Sequence, residues 1–463
     1  MKLIKNMNKH LVLLFILGIV ISCKTEKEPQ KPNIVMVLAD DLGWAQIGCY
    51  GTDYYETPNI DQIAYEGMRF TNAYAAAPVC SPTRASILTG KYPARLHLTN
   101  FIAGGGDKGK PLAVPDWQKF LPLEEKTVAE VLKEQGYATA LFGKWHLSIE
   151  KTPPESLPYN PTKQGFDEEF VTYKPAEYMP LGEWQTAEED AHSVDTITSL
   201  SLGFMQRNQD KPFFLIVSHN TIHDPLMEQS ATINKYQNKA GNDQPENHPV
   251  IAAMIERLDE STGRIIKKIE DLGIAENTIV IFYSDNGGLH KHAAQTPLRM
   301  GKGTLYEGGI RVPLIVKWPG VTQPGTSSDH LISSVDLLPT FADMAGFSSH
   351  ELAIDGLSFT GVLQGQKDSF NREALYWHFP HYHNGMPGGV VRAGDYKLIE
   401  RFEPMLLNQP GQLEVYNLAE DIGETTNLLD SLPEKAEELQ QMLHQWRDQV
   451  GAQMMTVKEK RVN

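Results

Sequence analysis

Cysteine is scarce in this chain. There are three in 463 residues, too few for a disulfide framework. Basic residues are outnumbered, with 42 Lys and Arg against 58 Asp and Glu and a net charge of −16. That balance excludes nucleic acid as the main partner, because phosphate binding needs a basic footprint. It leaves an anionic substrate open, since a metal and a few basic side chains make a positive pocket in an acidic protein. No internal repeat or low-complexity segment stands out. The N-terminal apolar run "LVLLFILGIVI", Leu11 to Ile21, is too short to cross a bilayer, which takes about 20 residues in a helix. An apolar content of 41% with 22% charged residues is that of a globular protein, long enough for more than one structural unit.

Lys2, Lys5 and Lys9 precede the apolar run, so residues 1–22 read as a signal peptide. The run ends "VISC", where small residues lead to Cys23. This resembles a bacterial lipoprotein signal, which implies a lipid on Cys23 and export to the outer membrane, facing the periplasm or the cell surface. An ordinary secretory signal with an incidental cysteine is the alternative. Residues 23–32 are a polar tether. With Cys23 set aside, only Cys49 and Cys80 remain, which read either as a pair or as two thiols.

Several short apolar runs stop abruptly at chemically active side chains. "NIVMVLADD" ends at Asp40 and Asp41, and "YATALFGKWH" at Lys144 and His146. "PFFLIVSHNTIHDP" ends at His219 and His223, and "TIVIFYSDNGG" at Asp285 and Asn286. Each run has the length and Val/Ile/Phe content of a strand buried on both faces. Helical segments lie between them. "KTVAEVLKEQG" carries a Thr127–Glu130 capping box with Gly136 as a stop, and "PVIAAMIERLDESTGRIIKKIEDLG" has helical apolar spacing. The alternation predicts an α/β fold with a large, mostly parallel sheet, whose ligands bind beyond the carboxyl ends of the strands. All four polar clusters then share one rim, which makes the chain an enzyme candidate. We expect a catalytic domain over 33–350. After it, 351–463 should form a smaller α+β subdomain with antiparallel strands and a closing helix at "PEKAEELQQMLHQWRDQV".

Asp40, Asp41, Asp285 and Asn286 supply hard oxygen ligands from two strand ends. This donor set suits calcium or magnesium, and structural zinc is disfavoured for want of a Cys/His cluster. Taken alone, Asp40 and Asp41 would equally cap a turn. In "PVCSPTRASILTG", Pro82 suits the first turn of a helix, putting Cys80 at its positive end and Arg84 on its first turn. Helix terminus, guanidinium and metal together make a pocket for a tetrahedral oxyanion. The plainer reading of Cys80 is a small buried hydrophobe or a partner for Cys49. A protein-tyrosine-phosphatase loop is excluded, because it needs five residues between Cys and Arg and this chain has three.

"CSPTRASILTG" resembles the signature of the formylglycine-dependent sulfatases of the alkaline-phosphatase-like superfamily. The likeness extends through "VLADDLGW", "TPNID", "GKWH", "HNTIHDP", "SDNGG" and "GKGTLYEGGIRVP", from about residue 33 to the C-terminal strands. It implies that a maturation enzyme oxidises Cys80 to formylglycine, whose hydrate attacks the sulfur of a sulfate ester. It implies Ca2+, in preference to Mg2+, on Asp40, Asp41, Asp285, Asn286 and the modified Cys80, with Asp285 as base. Arg84, Lys144 and Lys302 would neutralise sulfate oxygens, His223 with Lys302 would protonate the departing alcohol, and His146 would help regenerate the aldehyde. The family pattern selects His223 over His219, which reads as a strand-end structural histidine. His290 and His292, between two matching blocks, and His378, His381 and His383, from the second subdomain, are candidate substrate contacts. The expected substrate is a sulfated polysaccharide or its oligosaccharides, of ulvan, galactan or glycosaminoglycan type. Two alternatives stay open: a phosphonate or phosphodiester hydrolase of the same superfamily, and a silent glycan-binding lipoprotein if Cys80 is not matured.

Overall fold

The structure is a computed structural model that describes residues 31–148, 158–172, 184–186, 190 and 192–458. The expected signal peptide, most of the tether and Cys23 lie outside the described residues.

Eight strands form the main sheet: β1 (Asn33–Ala39), β2 (Met68–Phe70), β3 (Ala138–Lys144), β4 (Glu168–Thr172), β5 (Phe213–Ser218), β6 (Thr278–Ser284), β7 (Leu314–Lys317) and β8 (Thr326–Ser328). Their order is β8-β2-β7-β6-β1-β5-β3-β4. From β6 to β4 all pairings are parallel, whereas β7 runs antiparallel to both β6 and β2. The sheet is therefore mixed and mostly parallel, as the alternation of apolar runs and helices predicts.

Successive side chains of β1 enter opposite cores, since a strand alternates its faces. Ile34, Met36 and Leu38 pack with helices α2 (Cys80–Thr89), α3 (Val128–Glu134) and α6 (Leu337–Met344). Val35, Val37 and Ala39 pack with α1 (Pro58–Glu66), α4 (Val194–Asn208) and α5 (Pro249–Asp271). Each fully buried Ile, Val or Met contributes roughly 1.5–3 kcal/mol, so helices on both faces hold the central strands rigid. The Thr127–Glu130 capping box forms in full at the start of α3.

The C-terminal sheet is an antiparallel meander of β9 (Ala374–Phe379), β10 (Gly388–Ala393), β11 (Tyr396–Arg401) and β12 (Leu413–Asn417). One face, with Val391, Leu398 and Val415, is covered by Leu439, Leu443 and Trp446 of α7 (Pro433–Val450). The other, with Trp377, Val390 and Ile399, packs on Tyr74, Val79, Leu305 and Ile310. Tyr74 and Val79 precede Cys80 in sequence, and Leu305 and Ile310 follow Lys302. The second sheet thus serves as a clamp on two loops of the first.

Candidate active site

Strands β6, β1, β5 and β3 are neighbours in the sheet and run the same way, so their carboxyl ends open on one rim. Ala39 is in register with Ser284, Leu38 with Ser218, and Ser218 with Gly143. The next residues along each strand are Asp40–Asp41, Asp285–Asn286, His219 and Lys144. The four polar clusters meet because the register sets them side by side.

Adjacent carboxylates on a regular strand face opposite ways. Here Asp41 has φ 61°, a left-handed turn directly off the strand, which Asp tolerates better than most residues. Both carboxyls therefore reach the same spot. Oxygens of Asp40, Asp41 and Asp285 and the sulfur of Cys80 all lie within 4.8 Å of one another. Cys80 opens α2, as the sequence predicts, and Arg84 follows one turn later. Gly143 explains the close approach of β3. Its φ is 115°, and a Cβ there would fall 1.8 Å from the Ser218 carbonyl oxygen.

Three buried cations meet the three buried carboxylates. Lys144 Nζ lies 2.5 Å from Asp40 Oδ2, Lys302 Nζ 2.6 Å from Asp41 Oδ2, and Arg84 Nη2 2.7 Å from Asp285 Oδ2. Three negative and three positive charges cancel. Burial opposes the charge on Asp40, yet Lys144, the chief of the nearby cations, holds its carboxyl well below the usual range. Asp285 is pushed up to about 6, by burial first and then by the charge of Asp40. Burial disfavours the ammonium of Lys302, but Asp41 outweighs it and raises the group above its ordinary value. Burial pushes the Cys80 thiol up to about 12, with Lys144 and Lys302 offsetting only part of that. An unmodified Cys80 is therefore protonated and a poor nucleophile.

The oxygen donors fit a hard divalent cation. Asp40 Oδ1 and Asn286 Oδ1 are buried and accept no hydrogen bond from the described residues. Asp41 Oδ1 is tied to Asn286 Nδ2 at 2.8 Å, which brings the amide into the carboxylate cluster. An oxygen-rich set of this kind is calcium or magnesium chemistry.

Hydrogen bonds fix the tautomers of the two inner histidines. Nδ1 of His223 donates to the Asp224 carbonyl at 2.7 Å, leaving Nε2 as the acceptor, 3.9 Å from Asp41 Oδ2. In His146, Nε2 donates to the Ile102 carbonyl, so the lone pair sits on the unpartnered Nδ1. Burial, then Lys302 and Lys144, push His223 down to about 3. Burial and then Lys144 hold His146 well below the ordinary value too. Both rings rest neutral.

A cavity of about 890 Å³ opens over this centre and is lined by Cys80, His146, His223 and Lys302. His290, His292 and His383 also line it, as the sequence predicts. Two expected contacts do not. His378 is buried with Nε2 at 2.8 Å from the Gln453 carbonyl, and His381 is buried with Nε2 at 2.8 Å from Thr99 Oγ1. His378 lies within β9 and His381 just after it, and each ring is held in the interior by its hydrogen-bond partner. His219 is likewise structural, bonded to Ser261 Oγ at 3.0 Å and pushed down to about 4 by burial. Sequence reading missed His248, Lys291, Asp224 and Phe101 on the cavity wall. Lys291 sits between two named histidines, and His248 directly precedes Pro249 at a helix start. Those are the only signals that would have found them.

Known proteins resemble the chain over almost its full described length. The family model described as Sulfatase matches residues 32–347, and that described as N-sulphoglucosamine sulphohydrolase, C-terminal, matches 300–453. A protein named Sulfatase from Formosa agariphila is 33% identical, over 91% of this chain and 88% of its own. Human arylsulfatase A is 33% identical, over 89% and 86% respectively. Among solved structures, Ps i-CgsB in complex with k-i-k-neocarrahexaose superposes with a TM-score of 0.74 at 27% identity, covering 90% of this chain and 93% of that one.

Proposed function

The chain belongs to the sulfatase family, which are sulfuric ester hydrolases, and from that premise we propose that it removes sulfate from sulfated oligosaccharides with formylglycine at position 80 and Ca2+ beside it. One observation carries the reading. Three carboxylates gather around residue 80, and Arg84, Lys144 and Lys302 cancel their charge without a metal. Adding a divalent cation gives the site a surplus of two positive charges, which suits a sulfate ester anion. A glycan substrate is supported by the sugar complex of Ps i-CgsB, a structural relative.

Asp40, Asp41, Asp285 and Asn286 would hold the metal, which when bound supplies Lewis-acid charge that lowers the pKa of an attacking hydroxyl. Cys80 would carry the formylglycine, which would supply an oxygen nucleophile in place of a thiol that stays protonated. Lys144, Lys302 and Arg84 bind and orient the sulfate oxygens. Asp285, its carboxyl raised by burial and Asp40, takes the proton from the hydroxyl oxygen at position 80. His223 would take a proton from water on Nε2 as the incoming anion raises that nitrogen's proton affinity, and would pass it to the departing alcohol. His146, on the cavity wall with its Nδ1 lone pair unpartnered among the described residues, would accept a proton from position 80.

We also read the chain as an exported lipoprotein anchored through Cys23 to the outer membrane. Replacing Cys23 with Ser should then move the protein from the membrane fraction to the soluble one. The main test is sulfate release from defined sulfated sugars by chain co-expressed with a maturation enzyme. Intact mass should show the thiol of Cys80 replaced by an aldehyde. Turnover of phosphodiesters but not sulfate esters, or full activity with an unconverted thiol, would sink the reading.

A further inference from the structure

Beyond the reacting centre, two flanks of the cavity wall are equipped differently. On one, Asp224 is the single carboxylate among the described lining residues, 3.5 Å from His292 Nε2. His248 lies edge-on to His292, 6.0 Å between ring centres, and its Nδ1 accepts the Ile251 N–H at 3.4 Å. That leaves the His248 proton on Nε2. An acceptor and donors side by side match a sugar hydroxyl, which both gives and takes hydrogen bonds.

The other flank offers donors and no carboxylate. His383 Nδ1 accepts the Asn384 N–H at 2.9 Å, which fixes its proton on Nε2, and Phe101 holds the ring edge-on at 5.4 Å. Its backbone neighbour Asn384 donates through Nδ2 to the Lys302 carbonyl at 2.8 Å, so this flank adjoins the sulfate-binding lysine. Lys291 and His290 complete it, and among the described residues neither side chain makes a hydrogen bond or an ion pair. Lys126, Lys133, Lys235 and Lys267, also on the surface, each meet a carboxylate, whereas Lys108, Lys163 and Lys211 meet none among the described residues. What sets Lys291 apart is its place on the cavity wall. A lysine with no carboxylate beside it among the described residues, together with the oriented Nε2–H of His383 on the wall of a cavity, matches an anionic ligand.

We propose that Lys291, His290 and His383 bind a second anionic group of the substrate, a sulfate ester or a uronate carboxylate, next to the sulfate that is removed. The inference rests on the sulfatase reading above and narrows its substrate to doubly anionic saccharides. The flank of Asp224, His292 and His248 then holds a hydroxyl of the same sugar.

Binding is measured by calorimetry on the Cys80→Ala chain with calcium, so that no turnover intervenes; the unconverted thiol chain is a second sample. Three probes are used: a disaccharide with one sulfate and no other charge, the same with a second sulfate, and a monosulfated disaccharide with a uronate. The second charge should tighten binding about tenfold, the scale of one charge-assisted hydrogen bond. Lys291→Ala and His383→Ala should each shrink that ratio severalfold, and added salt should shrink it further. A gain with the sulfate probe alone, or the carboxylate probe alone, identifies the source of the anion. Equal affinity for all three probes, or a ratio unchanged in both variants, overturns the proposal. Failure of the sulfatase reading would show separately, as a matured enzyme that releases sulfate from none of the sugars.

Discussion

Replacing Lys302 with Met removes one of the three cations that neutralise the carboxylate cluster while keeping the side chain's length. Lys302 Nζ lies 2.6 Å from Asp41 Oδ2, and Asp41 is 1% exposed. Breaking a buried pair on one side costs about 3–5 kcal/mol, because the partner charge is left without compensation. Unfolding entropy of about 2.1 cal/mol/K per residue over residues 32–463 makes 1 kcal/mol worth roughly 1 °C. In chelator, Lys302→Met should therefore melt about 4 °C below the parent. Calcium should reverse this. In the parent a cation must take Asp41 from Lys302, whereas in the variant that carboxylate is already free. At a hundred times its dissociation constant, a ligand stabilises by about 2.7 kcal/mol, so the variant should show the larger rise. Thermal melts of both chains in chelator and across a calcium titration decide it. An unchanged melting temperature in chelator, or a calcium response no larger than the parent's, refutes the idea that a divalent cation and these lysines share one set of carboxylates.

Replacing His223 with Asn should slow desulfation of sugars by about 10²–10⁴-fold, but slow an aryl sulfate far less, because a phenolate leaves without a proton. Equal losses on both substrates in steady-state kinetics would remove His223 from the acid role. Burial pushes His378 and His381 each down to about 3. The folded chain thus keeps both neutral while the unfolded chain protonates near pH 6.5. Their contribution is full above pH 6.5 and lost as pH falls towards 3. Each should cost about 2 kcal/mol at pH 5, and melts of His381→Asn against the parent at pH 7.5 and pH 5 should show a flatter decline for the variant. Gly143→Ala should destabilise by at least about 3 kcal/mol, since the new Cβ meets the Ser218 carbonyl at a φ of 115°. A variant melting like the parent would contradict the crowding at that strand end.

Much of the centre was legible in the sequence because strand ends announce themselves. An apolar run that stops at Asp40–Asp41 or at Asp285–Asn286 states both a buried strand and the chemistry at its tip. In a parallel sheet those tips share a side. The helix opened by Cys80 was equally readable from Pro82 and the run to Gly90. The histidines at the end of β9 and in the loop that follows it were not, because "HFPHYHNG" alternates too irregularly to assign faces. Which ring meets solvent was decided by Gln453, Thr99 and Asn384.

Local sequence, then, determined which residues carry chemistry and which segments become strands, because periodicity and residue type act over a few neighbours. Tertiary structure alone decided the pairing of Lys302 with Asp41, the side of each hydrogen-bonded histidine that keeps its proton, and the split of the cavity wall into a flank with a lysine and a flank with a carboxylate. Those depend on burial and on hydrogen-bond partners up to hundreds of residues away, such as Thr99 against His381. Distances of that kind exist only once the two sheets have packed.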